Sequence, residues 1–195
     1  MKKISVLIIS CILFSSLFLS GCTDQPKDNG QKDGIFYDIS LKNVTLTEED
    51  FTNAFTKVAE NHTTNATTVE NITGNGLNWN ILERFDVTFY ANITAGVMET
   101  LMKFESAKIA ENLTILSKNN MLNEGYSLQS VDPIGNISYL LNRTITYQDN
   151  DSQYYTILFS VGNIFVALGG SAPEQSTFID YAKTIEQHIL DEIKK

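Results

Sequence analysis

Cysteine, proline, histidine and basic side chains are all scarce in this chain. Among its 195 residues there are 2 cysteines, Cys11 inside an apolar run and Cys22 just after it, so neither can staple a following domain. A disulfide framework, a thiol nucleophile and a cysteine zinc site are thereby excluded from the remainder. With 3 prolines and 11 glycines the chain is neither low-complexity nor collagen-like, and its 43% hydrophobic content is enough to bury a core. Lys and Arg number 14 against 23 Asp and Glu, a formal net charge of −9, with no basic cluster beyond the N-terminus. A phosphate backbone would be repelled, so nucleic acid is not an expected partner. A single long apolar run excludes a multi-span membrane architecture. The length leaves room for one domain, two at most.

That run has a recognisable form. Met1-Lys2-Lys3 supplies a positive start, and Ile4 to Ser20 is uncharged and apolar, the pattern of a secretory signal. It ends in Leu19-Ser20-Gly21-Cys22, which resembles the lipobox of lipoprotein signal peptides, where small residues precede a cysteine that is lipidated and becomes the mature first residue. The resemblance implies removal of residues 1–21 and a lipid anchor on Cys22, placing the rest on the extracytoplasmic face of the cell membrane. The alternative is an uncleaved anchor helix, since the run is near the lower limit for a span. Without Lys2 and Lys3 the exported part carries about −11 by the same counting.

Asn-X-Ser/Thr sequons occur at Asn43, Asn61, Asn65, Asn71, Asn92, Asn112, Asn136, Asn142 and Asn150, nine in all. With 18 asparagines and 34 serines and threonines, chance predicts about three such triplets. The excess points to a surface that meets an N-glycosylation machinery, although an Asn/Thr-rich composition is the bland alternative. A lipobox together with many sequons resembles an archaeal cell-surface lipoprotein more than a bacterial one.

Residues 22–34 comprise the lipidated cysteine and a polar tether without a large apolar side chain. The tether reaches on the order of 20 Å as a flexible coil. The globular domain is expected over 35–195. Phe36 to Leu41 reads as a short strand, and Thr47 as an N-cap for a helix with Glu48, Glu49 and Asp50 in its first turn. Phe51, Ala54, Phe55 and Val58 give that helix a buried face ending near Asn61, and 61–76 reads as a polar loop. Trp79–Ala91 and Ala95–Phe104 form a hairpin. Ser106 opens a helix with Ile109, Ala110, Leu113, Leu116 and Ser117 on one face, ending before Gly125. Ile137–Tyr147, Tyr154–Val161 and Ile164–Leu168 make a meander, and a last helix runs from about Pro173 to Ile193, with Ser171 and Glu174 at capping-box spacing. The expected fold is α+β: one antiparallel sheet of about six or seven strands with about three flanking helices, after the N-terminal signal helix.

No catalytic residue, metal ligand or cofactor is assigned from these residues. His62 sits in the expected polar loop. His188, with Asp191 and Glu192 nearby, offers at most a partial metal set and reads as solvated helix surface. Gly169-Gly170-Ser171 lacks the nucleophile-elbow pattern, and Ser171 reads better as a helix cap. Asp149-Asn150-Asp151 lacks the glycine and distal glutamate of a calcium loop and reads as a hairpin tip. In Tyr154-Tyr155 neighbouring strand residues point to opposite sides, which offers one outward ring to a binding surface, but core or edge packing is the expected reading for both.

From Leu46 onward, a set of short landmarks resembles PsbP-like proteins and the extracellular sensor-like domains of actinobacterial lipoproteins and kinases. They are Leu46-Thr47-Glu48-Glu49-Asp50, Phe104-Glu105-Ser106-Ala107, Gly125-Tyr126, Ile134-Gly135-Asn136-Ile137-Ser138, Phe159-Ser160-Val161-Gly162-Asn163 and Tyr181-Ala182-Lys183. Family members carry Gly-Asp where this chain has Gly135-Asn136. The resemblance implies a helix-flanked antiparallel sheet and a noncatalytic binding, sensing or accessory role. The expected function is therefore a membrane-anchored, glycosylated extracytoplasmic module, partnered by the membrane through Cys22 and by an envelope or membrane protein. The alternative is a metal- or carboxylate-dependent cell-envelope hydrolase. A solute-capture lipoprotein needs two lobes, for which about 160 residues is small.

Overall fold

A computed structural model of the chain describes residues 35–51, 55–64, 80–91, 95–147, 150–171 and 174–195. The expected signal sequence, Cys22, the expected tether, most of the expected polar loop and the sequons at Asn65, Asn71 and Asn92 lie outside these residues.

Seven strands form one sheet: β1 (Thr56–Thr64), β2 (Ile81–Tyr90), β3 (Gly96–Phe104), β4 (Ser127–Gln129), β5 (Ile137–Tyr147), β6 (Asn150–Val161) and β7 (Ile164–Ser171). Their order is β1-β2-β3-β7-β6-β5-β4, and every neighbouring pair is antiparallel. Two helices complete the domain, α1 (Ala107–Asn123) and α2 (Gln175–Ile193). The expected α+β class and single sheet are present, with two α-helices among the described residues where about three were expected.

Side-chain alternation divides the core into two layers. Leu101 belongs to one buried cluster and its neighbours Met102 and Phe104 to the other, as a two-residue period requires of a sheet covered on both faces. On the first face Phe178, Tyr181, Ala182, Ile185 and Ile189 of α2 meet Phe89, Val97, Phe159 and Val166. This is the stripe expected of the last helix, with Ile193 packed at its margin. On the second face Ala110, Leu113 and Met121 of α1 pack over Met102, Leu158 and Phe165. The central strand β7 is buried on both faces, which explains its unbroken run Ile164-Phe165-Val166-Ala167-Leu168. Each fully buried side chain of this size contributes roughly 1.5–3 kcal/mol.

The N-terminal part departs from the expected strand and helix. Residues 35–40 join no ladder. Instead, side chains from the body of the domain take their donors: Tyr37 N–H donates to Asn163 Oδ1 at 2.7 Å. A 3-10 turn follows at Leu41–Asn43 and another at Glu48–Asp50. Thr47 does open the second, with a capping box in which Asp50 accepts the Thr47 N–H at 2.7 Å, but it lasts one turn. The chain is already extended at Phe51, and residues expected in the helix, from Thr56 on, form β1. Phe51 and Phe55 are buried as the helical period implied, stacked 4.7 Å apart, whereas Val58 is exposed. We call the covering segment 35–51 the strap, because Leu41, Val44, Leu46 and Phe51 close the α2 face over β2 and β3.

Ser106 caps α1 as expected, its Oγ accepting from Ile109 N–H. Ser171 does not cap α2: it ends β7, and the N-cap is Glu174, which makes no side-chain cap bond. Gly162, in the β6–β7 turn, has φ +55°, and a β-carbon there would sit 2.4 Å from the Tyr37 ring. Both facts require glycine.

Candidate functional site

The densest concentration of chemistry lies under the strap. β2 and β3 each carry charged residues at inward positions: Glu83 in the register of Phe85 and Val87, and Glu99 and Lys103 in the register of Val97 and Leu101. Buried charge of this kind persists only when it is paired and hydrogen-bonded.

Glu83 is 5% exposed and saturated. Its Oε1 accepts from Leu41 N–H at 2.9 Å, Ser40 Oγ at 3.1 Å and His62 Nε2 at 2.9 Å, and its Oε2 meets Lys103 Nζ at 3.0 Å. Lys103 also donates to the Ile39 carbonyl at 2.9 Å and lies 3.6 Å from Asp38. Burial pushes the Glu83 carboxyl up, but the bonds from His62, Lys103 and Leu41 outweigh it and hold it below its ordinary value. The cluster therefore carries a carboxylate across the working pH range.

Glu99 repeats the arrangement with a different outcome. Its Oε2 accepts from Leu46 N–H at 3.0 Å and Thr45 Oγ1 at 2.9 Å, the same hydroxyl-then-leucine pair that Ser40-Leu41 offers to Glu83. No cation faces it among the described residues, and Oε1 is buried without a hydrogen-bond partner. Burial, opposed by the Leu46 and Thr45 bonds and reinforced by the charge of Asp50, raises this carboxyl to about 7. The strap is thus clamped at two points, once by an ion cluster and once by an acid poised near neutrality.

The sequence-predicted residues are placed as follows. His62 stands in β1, not in a loop, with its ring also 5.2 Å from Phe85. His188 lies on α2 but faces Asp50 of the strap at 3.6 Å. Asp191 bonds Lys194, and Glu192 accepts from Asn43 Nδ2 and pairs with Lys195, so neither joins His188 in a ligand set. Among the described residues no three His, Cys, Asp or Glu side chains gather as a metal-binding group. Gly169 and Gly170 are strand residues of β7 with Ser171 at its end. Asp151 accepts from Thr146 Oγ1 at 2.6 Å beside the β5–β6 turn, where Asn150 pairs with Tyr147. Asp149 lies outside the described residues. Neither tyrosine of the pair faces freely outward: Tyr155 is buried against Phe178, and Tyr154 packs at the margin of the α1-side core.

Of the sequon residues, Asn43 and Asn136 are exposed, Asn61 is exposed on β1, and Asn112 and Asn142 are half-buried. The Glu83, Lys103 and Glu99 cluster escaped the sequence reading, though its signal was present as charge on the apolar register of two alternating strands.

Among the described residues no helix is long and apolar enough to cross a membrane. No protein-family model and no curated protein matches the chain. In three dimensions it is similar to the extracellular domain of PknH from Mycobacterium tuberculosis, with a TM-score of 0.52 and 9% sequence identity, over 78% of this chain and 94% of that one. At that identity the likeness is one of fold: this chain's antiparallel sheet with flanking helices is an arrangement shared with an extracellular domain.

Proposed function

We propose that the chain is a lipid-anchored, glycosylated extracytoplasmic protein whose domain acts as a noncatalytic binding, sensing or accessory module. One observation carries the noncatalytic part. The two buried carboxyl groups among the described residues are occupied in holding the strap: all four bonds to Glu83 and both bonds to Glu99 come from the protein itself. A general acid or base needs a face open to substrate, and Glu83 has none left. The fold shared with an extracellular domain supports the location, and the lipobox supports the anchor. The strap begins where the expected tether ends, so the clamps sit between anchor and sheet.

The test uses the full chain extracted from its native membranes. Intact-mass analysis is expected to find a lipid-modified Cys22 at the N-terminus, and an unmodified Met1 start would overturn the anchor. Assays with peptide, ester and glycoside substrates are expected to show no turnover. Turnover that disappears in Glu83→Gln would overturn the noncatalytic reading.

A further inference from the structure

We propose that Asn61, on the exposed edge strand β1, carries a glycan in the folded domain and that this glycan shields the edge from pairing with a second copy of the chain. The inference deepens the glycosylation reading above and rests on it.

β1 ends the sheet, is 9 residues long, and is exposed at every residue except the half-buried Thr63. Such an edge offers unpaired N–H and C=O groups to another strand. Lys57 and Glu60 pair at 2.6 Å and a bulge follows Lys57, devices that blunt the first half of the strand. The second half, Asn61 to Thr64, has only His62 as an ionisable group, and that ring is turned to Glu83. The opposite end of the sheet closes with β4, only 3 residues long.

Side-chain bonding separates this sequon from those at Asn43, Asn112, Asn136 and Asn142. Asn43 donates to Glu192 while its partner Thr45 is bound to Glu99. Thr114, the hydroxyl of the Asn112 sequon, is fully buried and donates to the Ala110 carbonyl at 2.8 Å. Asn136 accepts from Gly162 N–H, and Ser138 from Ile134 N–H. Asn142 and Thr144 bond to Gln129 and Gln153. Neither Asn61 nor Thr63 bonds through its side chain to a described residue. Strand alternation sets both opposite Asp86 and Arg84, on the face away from the fastened His62. Among the described residues α1 packs over β3, β5, β6 and β7 on that face, and the Arg84–Asp86 ion pair stands beside Asn61 and Thr63 in register.

In the modification, Asn61 Nδ2 forms a bond to the anomeric carbon of a polyisoprenyl-phosphate-linked oligosaccharide. The bond from that carbon to the phosphate oxygen breaks, the lipid phosphate leaves with the electron pair, and the amide proton passes to the transferase base.

The experiment is peptide mapping by mass spectrometry of the full chain from its native membranes, with sedimentation of wild type, Asn61→Gln and Thr63→Ala from the same host in detergent. The expected result is a sugar-modified Asn61 peptide, with both variants sedimenting at roughly twice the wild-type protein mass through edge-to-edge pairing. Glycans at other sequons with Asn61 bare overturn this assignment while the glycosylation reading stands. No glycan at any sequon overturns both. An occupied Asn61 with variants that sediment like wild type overturns the shielding.

Discussion

Replacing Glu99 by Gln tests the physics of the second clamp. The amide oxygen keeps the acceptor for Leu46 N–H and Thr45 Oγ1, so the change removes a titration while leaving the strap its bonds. In the folded protein the carboxyl is raised from 4.5 to about 7. Two and a half units correspond to roughly 3 kcal/mol. Because the folded value lies above the unfolded one, the wild type has this contribution in full below about pH 4.5 and loses it as pH rises through about 7. Urea unfolding of both proteins at fixed ionic strength, from pH 4.5 to 8, should therefore show the variant gaining roughly 3 kcal/mol relative to wild type across that window. Other carboxylates titrate identically in both and cancel in the difference. A difference that stays flat from pH 4.5 to 8 would refute the reasoning.

Lys103→Met leaves Glu83 buried with its cation gone, and should cost about 3–5 kcal/mol in urea unfolding. Adding Glu83→Gln to it should recover part of that loss, and strict additivity of the two changes would count against a coupled cluster. As the Glu83 carboxyl is lowered, its contribution is full above the unfolded value near 4.5 and fades as pH falls below it, so His62→Phe should weaken the acid limb of the stability profile. Gly162→Ala meets both a left-handed φ and the Tyr37 ring, and a loss of less than about 1 kcal/mol in thermal unfolding would contradict the geometry. Ser106→Ala removes the cap of α1 and should lower stability by about 1 kcal/mol, read from the same melts.

The elements legible in the sequence are those whose pattern and environment agree. β2 alternates cleanly because one face is buried and the other half-open, and α2 shows its stripe because only one side touches the sheet. β1 misled for a physical reason. Thr47 and Asp50 form a genuine capping box, and Phe51 and Phe55 fall at helical spacing, but both rings enter the core around an extended chain. Local preference for a helix was overridden by tertiary burial. β4 is too short to show a period. The polar neighbours of His62 point to a loop, yet what fixes it is Glu83, which is 21 residues away in sequence and invisible to local patterning. The clamps depend on such separations throughout, so the residue types were legible and their partnership was not.

The order of the strap's attachments has a mechanical consequence. Tension arriving along the chain from its N-terminal side meets the Tyr37–Asn163 bond first, then the Ser40-Leu41 clamp on Glu83, then the Thr45-Leu46 clamp on Glu99. These connections are loaded in series, as in peeling, so they yield one after another before the ladders of the sheet bear any load. The cheapest way to open the domain is therefore local, by lifting the strap and uncovering the apolar face of β2 and β3, at a free energy below that of global unfolding. A tug on this end would be read out as exposed core surface while the sheet itself stays folded.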